Sequence, residues 1–346
     1  MHGNLHKVDG LHERRCLKIQ SSSNIKIEEL IIVNGFASDF GGGVLAESST
    51  LIMLRCVIMG SVANIGGGGL GLTAGSLLMN DCVVANNETE GGAGIGIGSG
   101  FVEMNRVAVV NNSALGSGGG VYVGYFDGAV IQLNECNITN NRVGSSRSGS
   151  ASGGTCPCFA FLSGLRITPL FFLPRSIISG GMWIDKSQVN LTSCAVEDNS
   201  GRHSGGGLFA KNSAVSVVRS SIRGNYIVGE EDNPFQGYGG GVYIGDRTGS
   251  SASLTMTDTT VRQNKASFEG GGVYVVWHTT SASLEQTELI ENSAESGGGL
   301  HADEGASVMV SKCLFSNNEA TGFESWMGGG AVKLESQEGH SSFATF

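Results

Sequence analysis

The chain of 346 residues is poor in proline (4 residues), in aromatics (7%) and in basic side chains (21 Lys and Arg against 31 Asp and Glu). With 56 glycines but only 4 prolines, a collagen helix is excluded, since that fold needs glycine at every third position and abundant proline. The formal charge of −10 argues against a nucleic-acid partner, because a phosphate backbone selects basic surfaces. No apolar run reaches the roughly 18 residues of a membrane-spanning helix. The start, Met1 to Gln20, carries His2, His6, Lys7, His12, Glu13, Arg14 and Arg15 and lacks the apolar stretch of a signal peptide. The chain nonetheless opens inside a repeat-like segment (Val8-Asp9-Gly10) and shows no polar end cap at either terminus. It therefore reads as part of a longer solenoid, and the missing leader does not argue for the cytoplasm.

What is present is a repeat. A glycine triplet followed by strand-forming residues reads GGGVLA from Gly41, GGGVYV from Gly118, GGGLFA from Gly205, GGGVYI from Gly239, GGGVYV from Gly270 and GGGLHA from Gly297. Successive last glycines fall at Gly43, Gly69, Gly94, Gly120, Gly181, Gly207, Gly241, Gly272, Gly299 and Gly330, mostly about 25 to 34 residues apart, the spacing of stacked units.

A second column fixes the phase. Call p the position of Cys56, Cys82, Val107, Cys136, Cys194, Ser220, Thr259, Thr287 and Cys313. Apolar residues recur two after p (Ile58, Val84, Val109, Ile138), three before it (Met53, Met79, Met104, Leu133) and five before it (Leu51, Leu77, Val102, Ile131). Such alternation marks strands with one buried face, and no stretch has helical periodicity. Five after p stands asparagine: Asn87, Asn112, Asn141, Asn199, Asn225, Asn264, Asn292 and Asn318, with Ser61 as the exception and Asn34 in a similar place in the first unit. Asparagine at a fixed corner tolerates left-handed backbone and stacks on its copies as an amide ladder. Three strands and three turns per repeat predict an all-β, single-stranded right-handed parallel β-helix of about ten or eleven coils, one domain over 1–346, roughly 50 Å long.

The rule fails over residues 155–180. This stretch holds Pro157, Pro169, Pro174, Phe159, Phe161, Phe171, Phe172 and the pair Cys156 and Cys158. Joining Gly154 to Gly181 restores the repeat. The segment is either a protruding loop or a translated intron, and the sequence favours the second.

Residue types that can carry chemistry also serve packing in this chain. The p column accepts Cys, Val, Ser or Thr, which asks for a small inward residue, and packing is preferred to metal binding or catalysis. GGGGLG from Gly66 and GGAGIG from Gly91 lack the Asp of a calcium-binding nonapeptide. Met182-Trp183-Ile184-Asp185-Lys186 is similar to the W-I-D-H stretch of pectate lyases, with Lys186 in place of histidine. The acidic runs Asp303-Glu304 and Glu230-Glu231-Asp232 read as solvated loop charge. The seven histidines show no metal-ligand spacing. No catalytic, metal or cofactor residue is assigned. Four sequons, at Asn87, Asn111, Asn137 and Asn190, are weak signals in an Asn-rich chain.

The middle residue of the strand after the glycines should point outward. Its occupants run from Leu45, Gly71 and Gly96 through Tyr122, Trp183, Phe209, Tyr243, Tyr274 and His301 to Val332. Two readings are open for Tyr122, Trp183, Phe209, Tyr243 and Tyr274. They form an exposed ribbon that contacts a ligand, or they simply support one another across strands.

The corner G-G-G-[VLI] with CNITNN from Cys136 and CLFSNN from Cys313 resembles the repeats of polymorphic outer-membrane proteins, over nearly the whole chain except Thr155 to Ser179. The chain has Gly-Val or Gly-Leu where that family has G-A-I, and it carries no recognisable C-terminal membrane barrel. The resemblance implies a β-helix of the pectin-lyase-like superfamily and a secreted or cell-surface passenger linked to adhesion. The expected function is thus a non-catalytic extracellular or cell-surface module for adhesion or display, with a glycan or a surface protein as partner. The alternative is a polysaccharide lyase or epimerase acting on an acidic polysaccharide.

Overall fold

Alternating apolar residues become stacked strands. The computed structural model describes residues 6–20, 22–89, 91–92, 94–124, 128–144, 179–229, 237–245, 251–324, 327–335 and 342–345. Among them there is no helix, and all sheets are parallel. The strands that follow the glycines (Val44–Ala46, Leu70–Leu72, Val121–Val123 and their copies) form one 11-stranded sheet, here the front sheet. The strands before p (Ser49–Leu54, Gly75–Asn80, Gln188–Thr192) form a second, the long sheet, and those after p (Val57–Met59, Val83–Ala85, Ala195–Glu197) a third, each also of 11 strands. Strands of one sheet lie about 4.8 Å apart, so the rod is on the order of 50 Å long. The chain is a parallel β-solenoid of about 10 turns.

A fourth wall was not predicted. Two-residue strands such as Phe36–Ala37, Val62–Ala63, Ser113–Ala114 and Tyr226–Ile227 pair in a 7-stranded ribbon. Single bridges at Lys265 carry it on to Ser293–Ala294 and Glu319–Ala320. Two residues are too few for alternation to show in the sequence.

The predicted columns stack in register. Leu51 pairs with Leu77, Leu77 with Val102, Val102 with Ile131 and Ile131 with Val189. These residues, with Met53, Ile58, Val84 and their copies, form one continuous core. Burial of each such side chain contributes about 1.5–3 kcal/mol. Residues 145–178, which include most of the predicted insertion and both Cys156 and Cys158, lie outside the described residues. The coils on either side are direct neighbours: Asn141 bonds Asn199, 58 positions on, and Arg142 pairs with Ser200.

The amide ladder is present and buried. Each Asn Nδ2 donates to Oδ1 of the Asn in the next coil at 2.9–3.1 Å, from Asn87 to Asn318. Nδ2 also donates to a backbone carbonyl of the coil before, as Asn199 does to Ile138 at 2.8 Å. Each Oδ1 further accepts the backbone N–H of the preceding Asn, as Asn225 does from Asn199 at 3.0 Å. Ser61 continues the column, giving its N–H to Asn87 Oδ1 and accepting the N–H of Gly35 at Oγ.

Two expectations about this corner need correction. Left-handed backbone belongs to the residue before the ladder Asn: Asn86, Asn111, Asn140, Asp198, Gly224, Gln263, Glu291 and Asn317 have φ of 53° to 61°. The preceding residue makes the turn so that the Asn side chain can point inward. Asn34 also occupies this turn position (φ 53°), and Gly35 fills the ladder slot.

The glycine triplet completes the same corner. A Cβ on Gly207 would lie 2.9 Å from Asn225 Nδ2 and 2.7 Å from the Gly241 carbonyl, so the third glycine makes room for the ladder. A Cβ on Gly270, where φ is +66°, would lie 2.6 Å from Tyr274 Cβ, so the first makes room for the outward column. The last triplet is shifted by one residue from the sequence reading. Leu300 pairs with Val332 and His301 with Lys333, so Lys333 and not Val332 occupies the outward slot. The left-handed turn there is at Gly329 (φ 71°), which puts Ala331 in the third-glycine position.

Candidate functional site

The p column is built for hydrogen bonding as well as size. Cys194 Sγ donates toward the carbonyls of Leu133 and Thr192 at 3.3 Å, and accepts the Cys136 N–H at 3.4 Å. Ser220 Oγ accepts the Cys194 N–H at 3.1 Å and donates to Val218 O at 2.8 Å. Thr259 continues the pattern. Thiol and hydroxyl thus do one job, which explains their interchange. The cysteines described are free thiols committed to backbone groups.

Tyr122, Trp183, Phe209, Tyr243 and Tyr274 are brought together in one register on the outer face of the front sheet. Tyr122 and Trp183 stack with centroids 4.5 Å apart, Trp183 and Phe209 at 6.1 Å, Phe209 and Tyr243 at 4.9 Å, and Tyr243 and Tyr274 at 5.2 Å. They point away from the main core as expected, yet none is more than 7% exposed. Tyr238, on the segment leading to its glycine triplet, packs on Tyr243, Tyr274 and Phe268. Lys211 lies 5.6 Å from the Trp183 ring centre and 3.7 Å from Asp185. Burial first, then the Asp185 charge, push the Tyr122 phenol pKa up. The column is a second apolar spine, not an open ribbon.

At one end this spine turns polar. His301 follows Tyr274 in the ring column, edge-on at 5.3 Å, and Lys333 follows His301. Glu269 takes the slot before the first glycine that Tyr238 holds one coil earlier. Asp303 pairs with Val276, and Glu335 takes the same slot in the next coil. His301 Nε2 lies 3.5 Å from Glu335, His301 Nδ1 lies 4.0 Å from Glu269, and Lys333 Nζ lies 2.8 Å from Glu335. Tyr274 Oη donates to Asp303 at 3.1 Å. Burial raises the Glu269 pKa, whereas His301, and after it Lys333, hold that of Glu335 down at about 2.

Sequence reasoning missed this cluster. It took Asp303 and Glu304 for solvated charge, whereas both are buried. Glu269, His301 and Glu335 come from three coils and three different slots, so no linear spacing links them. The available signal was a break in two columns, where His and Glu replace aromatic residues. The acidic run 230–232 lies outside the described residues.

A groove of about 580 Å³ crosses five coils at the start of the long sheet. Lys186, Gln188, Asn212, Ser251, Ser253 and Ser281 supply most of its polar lining, and among the described residues no carboxylate lines it. Asn87, one of the four sequon asparagines, is fully buried in the ladder. No family model, curated protein or solved structure matches the chain.

Proposed function

We propose that the chain is a non-catalytic extracellular or cell-surface module for adhesion or structural display, of the polymorphic outer-membrane repeat kind. A glycan or a surface protein is its partner. The observation that carries this reading is the groove, a shallow track of hydroxyls and amides with one lysine that follows the rod axis over five coils. Such a lining offers an extended polymer many weak hydrogen bonds and, among the described residues, no acid–base pair. Because the ring column is covered, contact is assigned to the groove, with the rings as its support.

The test is binding of the folded chain to an array of neutral and acidic oligosaccharides and to intact cells, beside the variant Gln188→Ala/Ser251→Ala. Retained binding to a glycan or cell, weakened in the variant without loss of fold, is expected. A chain that binds no glycan and no cell surface refutes the proposal.

The polysaccharide lyase or epimerase remains as a second reading because carboxylates and a lysine do gather on neighbouring coils, at Glu269, Asp303, Lys333 and Glu335. Incubation with uronate polymers separates the two. Unsaturated or epimerised product, abolished by Lys333→Met, would establish the enzyme.

A further inference from the structure

We propose that Glu269, His301 and Glu335 form a site for one divalent transition-metal cation of the zinc class. Each residue offers one ligand atom, and the three atoms lie within 4.8 Å of one another. Ligands of a tetrahedral ion with bonds of about 2.1 Å stand about 3.4 Å apart, close to the 3.5 Å between His301 Nε2 and Glu335. Glu269 stands 4.0 Å from the other ring nitrogen, Nδ1, so its side chain must swing toward the Glu335 side of the ring to complete the set. One imidazole with two carboxylates suits zinc or a neighbouring first-row ion, whereas calcium and magnesium prefer oxygen alone.

Further observations favour an ion. His301 is fully buried, and the Glu335 and Glu269 carboxylates at 3.5 and 4.0 Å from its nitrogens do not meet hydrogen-bond geometry. A buried imidazole in that position is costly, and a metal would satisfy one nitrogen directly. Among the described residues, the carboxylates of Asp303 and Glu335 and the ammonium of Lys333 lie in the field of Glu269. Lys333 Nζ and His301 Nε2 both face Oε2 of Glu335, so the ion would share that oxygen with Lys333 or shift Lys333 to Oε1. With Glu269 and His301 buried, the ion would tie three successive coils together.

The test uses the full chain, stripped with chelator, dialysed against zinc and assayed for metal per chain beside Glu335→Gln and His301→Gln. Eight cysteines and the other histidines also take up zinc, so the difference between proteins is the readout. One equivalent fewer in each variant is expected, with a zinc-dependent rise in Tm of several degrees in the wild type that both variants lose. Glu335 is partly exposed, so its conservative variant folds even if His301→Gln does not. Equal zinc content in wild type and Glu335→Gln, or equal zinc-induced Tm shifts, overturns the proposal.

Discussion

Asn199→Ala tests whether the amide ladder holds the coils together. Asn199 is fully buried and its side chain takes part in four hydrogen bonds. Nδ2 donates to Ile138 O at 2.8 Å and to Asn225 Oδ1 at 2.9 Å. Oδ1 accepts from Asn141 N at 2.9 Å and from Asn141 Nδ2 at 3.1 Å. Alanine removes all four and leaves the Asn141 N–H and the Ile138 carbonyl without these partners in a dry corner. At about 0.5–1.5 kcal/mol per bond the loss is about 2–6 kcal/mol, a large share of a typical folding free energy of roughly 5–15 kcal/mol. Urea titration followed by far-UV circular dichroism measures it, with Asn190→Ala as the control. Asn190 is an exposed strand residue, and its replacement should cost within about 0.5 kcal/mol. A loss below about 1 kcal/mol for Asn199→Ala, or one equal to the control, would refute the argument that the ladder binds the coils.

Gly207→Ala sets a Cβ 2.7 Å from the Gly241 carbonyl and 2.9 Å from Asn225 Nδ2, and should cost about 2–3 kcal/mol by urea titration. Cys194→Ser should stay within about 1 kcal/mol of wild type, because the hydroxyl reproduces the bonds seen at Ser220, whereas Cys194→Val should lose about 1–3 kcal/mol in thermal unfolding. Glu269→Gln tests the buried charge in metal-free buffer. The Glu269 pKa is raised in the fold, so its contribution is fully present below the ordinary glutamate value of about 4.3 and is lost as pH rises above it. The variant should therefore be more stable than wild type at pH 7, and the two should converge at about pH 4; Tm measured at both pH values checks this.

How much of this was legible depends on whether a residue acts within its own coil or across coils. The Leu51 and Cys56 columns were readable because each recurs at a fixed offset and stacks on itself. The Asn ladder was readable for the same reason. The direction of Tyr122, Trp183 and Tyr274 was legible from strand alternation, but their burial was not. It depends on neighbouring segments such as the one bearing Tyr238, whose spacing varies from repeat to repeat. The cluster around His301 lay beyond linear reading, since its partners are Glu269 in one coil and Glu335 in another.

The ladder also gives the rod a polarity. In every step from Asn87 to Asn318 the amide NH₂ faces the following coil and the amide oxygen faces the preceding one. The small side-chain dipoles therefore add along the axis instead of cancelling. At this corner each coil presents a donor on one side and an acceptor on the other, so coils can join only head to tail. A second rod could prolong this one in the same direction, but two like ends brought together would set donor against donor.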